Sequence, residues 1–296
     1  MLYIDHGCEK HILEARLLEE QYKEACQWIS DLGIEYKRTR FGDYERDFEE
    51  FIRAGKTEDS EERLKVFFNA QLEAIELIRV KNTLDSFNSA QAIETIKKSV
   101  SGQKFRNGST ADQSRDFAFE LSMAARFIKA GYHVDLRTIT DIVVEIDGRR
   151  LYVECKRIKS AKQLGKRVKE AYKQTKARVT KDASSRTRSL IALNVTDIIN
   201  PNAMPVITSS VDLYERMSLE TLTDFVTLNQ PTLIKNQHTK SLGAFTEFTT
   251  QGLITGPDEF AFLNSREAQF INLRLKSRDL EYLNSFYMKL GNQNVV

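Results

Sequence analysis

The order of apolar and polar positions divides the chain into two stretches of different character. Residues 1 to about 105 carry apolar side chains at helical spacing. This predicts helices over roughly 8–30, 43–54 (Tyr44, Phe48, Phe51, Ile52), 60–80 (Leu64, Phe67, Phe68, Leu72, Ile75, Ile78) and 84–100 (Leu84, Phe87, Ile93, Ile96). Ser101 to Ser109 is polar, carries two glycines and marks the expected boundary. Beyond it, Thr110-Ala-Asp-Gln113 resembles a capping box, Phe117, Leu121, Ala124 and Ile128 follow on one helical face, and Gly131 closes the helix. Tyr132 to Leu136, Asp141 to Ile146 and Arg149 to Cys155 read as strands, the last two separated only by Asp147-Gly148, a two-residue hairpin signal. A helix at about 161–182, a buried strand from Ser189 to Val195, a helix near 211–227, strands within 243–274 and a last helix at about 276–290 follow. From 110 to 195 the order is helix, three strands, helix, strand.

The hairpin fixes a register. If Asp147-Gly148 is the loop, facing residues have numbers that sum to 295, so Ile146 faces Arg149 and Asp141 faces Glu154. Alternation then puts Ile142, Val144, Ile146, Leu151, Val153 and Cys155 on one wholly apolar face. The other face carries Asp141, Val143, Glu145, Arg150, Tyr152, Glu154 and Lys156. Glu145 opposite Arg150 is a favourable cross-strand pair, whereas Asp141 opposite Glu154 sets two like charges about 4.5 Å apart at Cα, which is destabilising. A hard divalent cation such as Mg²⁺ resolves that repulsion, because it takes oxygen ligands and keeps several waters. Lys156, two residues beyond Glu154 on the same face, is placed to orient a water nucleophile or to stabilise charge developing on a phosphoryl oxygen.

Composition narrows the class. Of 296 residues, 41% are hydrophobic and 29% charged, which fits a globular chain and excludes wholesale disorder. No apolar run approaches the ~18 residues of a membrane span, and Met1-Leu-Tyr-Ile-Asp-His6 has neither a basic nor an apolar leader, so a cytoplasmic protein with no membrane partner is expected. Three cysteines, an odd number, suit reduced thiols. The net charge of +2 conceals a strong asymmetry: Lys156 to Arg188 holds thirteen basic residues against Glu170 and Asp182, a local charge of +11 that leaves −9 for the rest. Such concentration suits a polyanion. Neither a Walker-type phosphate loop nor a Gly-x-Ser-x-Gly elbow is present, so an ATPase or serine hydrolase has no support.

At these residues the chain resembles the PD-(D/E)XK nuclease superfamily, with its restriction-endonuclease-like fold. The resemblance covers about residues 110–195 and rests on Asp141, the gap to Glu154-Cys155-Lys156, a preceding helix containing Glu120 and a following basic helix. It implies an α/β fold with an αβββαβ core and a mixed sheet, in which an α-helical N-terminal region (1–105) precedes a nuclease-like domain (110–296). It also implies that Asp141 and Glu154 bind Mg²⁺ (or Mn²⁺), that Lys156 is the catalytic lysine and that Glu120 acts at or beside the metal. Gln174 resembles a second-helix glutamine of some subfamilies, and Thr140 stands where the family name has proline. Arg157, Lys159, Lys162, Lys166 and Lys173 of the basic segment are expected to contact backbone phosphates.

The implied activity is a metal-dependent nuclease or endonuclease, a hydrolase of phosphodiester bonds with DNA as the expected substrate. The alternative is a non-catalytic nucleic-acid-binding or assembly module that keeps the fold. The N-terminal helices are expected to serve homo-oligomerisation or a regulatory partner.

Other signals carry less. Asp258 with Glu267-Ala-Gln269 is a competing motif without a turn in its gap or a basic helix after it, and reads as a bulged edge hairpin. His6, Cys8, His11 and Cys26 lack paired zinc clamps. His133 reads as structural, and Cys155 as an inert core thiol.

Overall fold

The computed structural model describes residues 2–13, 15–54, 61–85, 90–106, 112–136, 142–182, 184–255, 260–272, 275–291 and 293. Strand β1 (Leu2–Leu13) is followed by helices α1 (Ala15–Asp31), α2 (Arg40–Ala54), α3 (Glu61–Leu84) and α4 (Ala90–Val100). Next come α5 (Gln113–Lys129), β2 (His133–Asp135), β3 (Ile142–Ile146), β4 (Arg149–Arg157), α6 (Ala161–Lys181) and β5 (Arg188–Asn194). The chain continues through α7 (Thr196–Ile199), β6 (Val206–Thr208), α8 (Val211–Ile234), β7 (Ser241–Thr255), β8 (Phe260–Asn272) and α9 (Ser277–Gly291). Between α5 and β5 the order is the expected helix, three strands, helix, strand. Among the described residues no helix is long and apolar enough to cross a membrane.

The protein is α/β with one mixed sheet. Its order is β1-β8-β7-β5-β4-β3-β2, with short β6 pairing alongside β7. Strands β2, β3 and β4 run as an antiparallel meander, and β5 lies parallel to both β4 and β7. The β3–β4 pairs run from Ile146 with Arg149 to Ile142 with Val153, the register expected from the turn. Asp147 and Gly148 take φ of 49° and 65°, the two left-handed residues that a type I′ hairpin requires. At the start of β7 the register against β5 shifts, and Gly243 there has φ of 115°. A Cβ at Gly243 would lie 2.3 Å from the Ile271 carbonyl oxygen, so the kink needs glycine.

Alternation along the strands feeds two cores. Leu190 and Ala192 of β5, with Ile142, Val144, Ile146, Leu151, Val153 and Cys155, pack under α5 and α9, whereas Ile191 and Leu193 pack under α6 and α8. A third core holds α1 to α4 against Leu253 and Phe262 at the far end of the β7–β8 hairpin. Helix α5 joins two of these cores, since Leu121 belongs to the third and Phe119, Met123 and Phe127 to the first.

Four expectations are corrected. The helix expected over 8–30 begins at Ala15, because the residues before it form β1, which pairs antiparallel with β8 and closes that strand's open edge. The N-cap of α5 is Asp112, whose carboxylate accepts from the Arg115 amide; Thr110 lies outside the described residues. The helix expected near 211–227 runs on to Ile234, with Pro231 in its last turn. The hairpin containing Glu267 and Gln269 is not at an edge: β8 lies between β1 and β7, pairs with β7 without a shift from Ala244–Ile271 to Thr255–Phe260, and meets a register shift only on its β1 side, between His6–Ala268 and Glu9–Arg266. Asp258 lies outside the described residues.

Candidate active site

Strand β4 directs Glu154 and Lys156 to the side of the sheet covered by α6, while Cys155 between them enters the opposite core. Glu154 is 1% exposed. A carboxylate so deeply buried requires partners, and each of its oxygens has one. Oε1 accepts from Lys156 Nζ, and Oε2 accepts from Arg178 of α6 at 2.6 Å. Arg178 is a site residue that sequence reading missed. The only signal was its position beside the buried stripe of α6 (Leu164, Val168, Ala171, Tyr172, Thr175, Val179), which turns an otherwise ordinary basic residue towards the sheet.

Glu120 reaches the same place from α5. It is half-buried between Phe119 and Leu121, which enter different cores. Burial pushes its carboxyl up to about 8, and the Glu154 charge adds to that shift. Lys156 and Arg178 oppose it, and Asp116 one turn earlier on α5 reinforces it. Burial also raises Glu154, against the pull of Lys156. Two desolvated carboxylates from different elements therefore converge beside a lysine and an arginine. Asp141 lies outside the described residues, and the described β3–β4 pairing ends at Ile142 and Val153.

These residues suit a hard divalent cation by donor chemistry. Both carboxylates are oxygen donors, and a cation would offset the burial that lifts Glu120 and the Glu154 charge that adds to it. Among the described residues no group of three His, Cys, Asp or Glu side chains is arranged to hold an ion. The zinc reading gains nothing: Cys26 is buried, its thiol pushed up to about 12 by desolvation, and the side chains of His6, Cys8 and His11 are outside those described.

The expected phosphate contacts separate into two groups. Lys162, Lys166, Lys173 and Gln174 are exposed on α6, where Lys162, Lys166, Lys169, Lys173 and Lys176 recur at spacings of four and three and form one outward stripe. Arg157 and Lys159 do not face outwards. Arg157 is 6% exposed and donates to Asp197 at 2.7 Å, and Lys159 is 8% exposed, with Asp116 at 3.8 Å and the Asp112 carbonyl at 3.4 Å. Those two cations are held by carboxylates distant in sequence.

The chain matches no protein-family model, no curated protein and no solved structure. The functional reading therefore rests on geometry and residue chemistry.

Arg157 leads into a second buried charge network. Asp197, after β5, also accepts from Arg106 at 3.0 Å, and Arg106 in turn donates to Glu73 of α3 at 2.9 Å. Glu73 takes Arg115 of α5 at 2.8 Å and Arg40 of α2 at 3.2 Å as well. Burial alone would raise Glu73, but Arg115, Arg40 and Arg106 outweigh it and hold the carboxyl well below its ordinary range. Helices α2 and α3 are thus tied to the helix that carries Glu120.

Proposed function

We propose that the chain is a metal-dependent nuclease of the PD-(D/E)XK type that hydrolyses phosphodiester bonds, with DNA as its substrate. The observation that carries this reading is the convergence of Glu154, Lys156 and Glu120 within a helix, three strands, helix, strand arrangement that has a basic helix beside it. Glu120 and Glu154, with Asp141, would hold Mg²⁺ or Mn²⁺. The bound ion would supply Lewis acidity and lower the pKa of its water. Lys156 would position the attacking water and donate to a phosphoryl oxygen as charge accumulates there. Arg178, already within hydrogen-bond range of Glu154, is placed to do the same from the α6 side. The exposed lysine stripe would take backbone phosphates, so affinity should fall steeply with salt.

The test is incubation of the chain with supercoiled plasmid and with labelled single-stranded DNA and RNA, in Mg²⁺, Mn²⁺ or EDTA, beside Asp141→Ala and Lys156→Ala. Cutting that needs the metal and is lost in both variants is expected. Undiminished cutting by Lys156→Ala would overturn the assignment.

One observation favours the non-catalytic module instead: both oxygens of Glu154 are already taken by the chain's own cations. A chain that ignores Mg²⁺ and Mn²⁺ in titration, yet retains DNA in a salt-sensitive manner, would decide for that reading.

A further inference from the structure

A recess of about 430 Å³ opens among the start of α3, the 101–106 loop and the loop after α7. Arg106 forms part of its lining with little freedom, since its guanidinium is gripped by Glu73 and by Asp197. Phe105 and Met204 contribute apolar surface while remaining 50% and 41% exposed, and the amides of Asn69 and Asn202 also line the space. The Met204 wall is fixed as well. The Asn200 side chain donates to the Met204 carbonyl at 2.7 Å and accepts from its amide at 3.0 Å, across a turn in which Ala203 takes φ of 50°. The recess combines an accessible aromatic face and amide edges with Lys65 and Glu62 in its lining, while the charge of Arg106 is already shared with Glu73 and Asp197.

We propose that this recess binds an unpaired nucleobase of the nucleic-acid substrate, so that the chain acts on strands with single-stranded or unstacked bases. The proposal rests on the nuclease reading. A planar heterocycle can stack on Phe105 against Met204 while Asn202 meets its polar edge, and Lys65, half-exposed in the lining, can meet the adjoining phosphate. Its volume lies within the range of small-ligand pockets and exceeds what a single aromatic ring needs. Asp197 ties the recess to β4, holding Arg106 on one oxygen and Arg157 on the other.

Fluorescence anisotropy of short labelled oligonucleotides in EDTA tests this without any cutting. Single-stranded and duplex forms, each in DNA and RNA versions, are compared for the intact chain, Phe105→Ala and Phe105→Trp. Loss of one base–aromatic stack is expected to weaken single-strand binding by about 10- to 100-fold in Phe105→Ala, with duplex binding unchanged and binding retained in Phe105→Trp. A 2-aminopurine probe should be quenched on binding to the Trp variant. Equal single-strand affinity in Phe105→Ala and the intact chain, equal losses for single strand and duplex, or no binding at all would each overturn the proposal. If Lys156→Ala abolishes metal-dependent cutting while Phe105→Ala binds normally, the pocket fails and the nuclease reading stands. If Phe105→Ala loses single-strand binding in a chain that never cuts, the pocket stands and the nuclease reading fails.

Discussion

Glu120→Gln should change how stability depends on pH, and the direction follows from the site. In the folded chain burial and Glu154 lift the Glu120 carboxyl from its ordinary 4.5 to about 8, so it holds its proton at neutral pH while the unfolded chain has released it. Between those values the folded state binds more protons, and stability falls as pH rises. At about 1.4 kcal/mol per unit, the displacement sets a ceiling of about 5 kcal/mol on the loss between pH 4.5 and pH 8. Glu154 titrates beside it, so the protons leave in steps that belong to the pair, and the useful quantity is the difference between two proteins. Urea midpoints measured in EDTA from pH 5 to pH 8 should decline for the intact chain and decline less for Glu120→Gln, which carries no proton to lose. Millimolar Mg²⁺ should flatten the intact chain's curve, because a cation between the two carboxylates favours the ionised form. Parallel curves for the two proteins in EDTA would refute the electrostatic account of the site.

Two further perturbations probe the frame around it. Glu73→Gln removes the charge that Arg40, Arg106 and Arg115 share, leaving buried guanidiniums uncompensated, and should cost about 3–5 kcal/mol in chemical denaturation; an unchanged midpoint would mean that solvent or other groups relieve them. His238 accepts or donates at Thr175 and Ser189, and burial, aided by Lys176 and Lys240, pushes its imidazole down to about 4. Its folded pKa lies below the unfolded value, so its contribution is present above about pH 6.5 and lost as pH falls towards 4, and His238→Gln should shallow the acid limb of the stability profile.

How far the sequence could be read depended on the range of the interactions involved. The β3–β4 hairpin was legible from Ile142 to Val153, because a two-residue turn fixes register and alternation sorts the faces; all six residues expected on the apolar face are buried in one core. The site was legible to the extent that it lies on that hairpin and on the next helix face. What failed was polar surface that is not surface. In β7 and β8, Thr246, Glu247, Thr250, Gln251, Asn264, Ser265, Arg266 and Gln269 are all buried, yet their pattern suggests an exposed hairpin. Glu247 pairs through one oxygen with Arg126 and Arg266, and the Asn264 carbonyl oxygen accepts from Arg79, partners up to 185 residues away. The same holds for Arg157 and Lys159, which read as part of a basic run until Asp197 and Asp116 are brought beside them. A local window contains no information about a carboxylate that arrives from another element.

That long-range pairing also bears on why the candidate site could remain stable with so much buried charge. Isolated, each of Glu120, Glu154, Asp116, Arg157 and Arg178 would be costly to desolvate. Helix α5 removes much of the difficulty by lying between two cores. Its apolar residues anchor it on both sides, while Asp112, Asp116 and Glu120 recur at intervals of four along the remaining face, with Arg115 beside Asp116. That face meets Glu73 of the N-terminal layer through Arg115, Arg157 of β4 through Asp116, and Glu154 electrostatically through Glu120. A displacement of α1 to α4 that pulled on Arg115 would therefore move the helix on which Glu120 sits. The N-terminal layer is thus tied to the frame of the candidate site through the pair of Glu73 with Arg115, one turn and a half before Glu120 on the same helix.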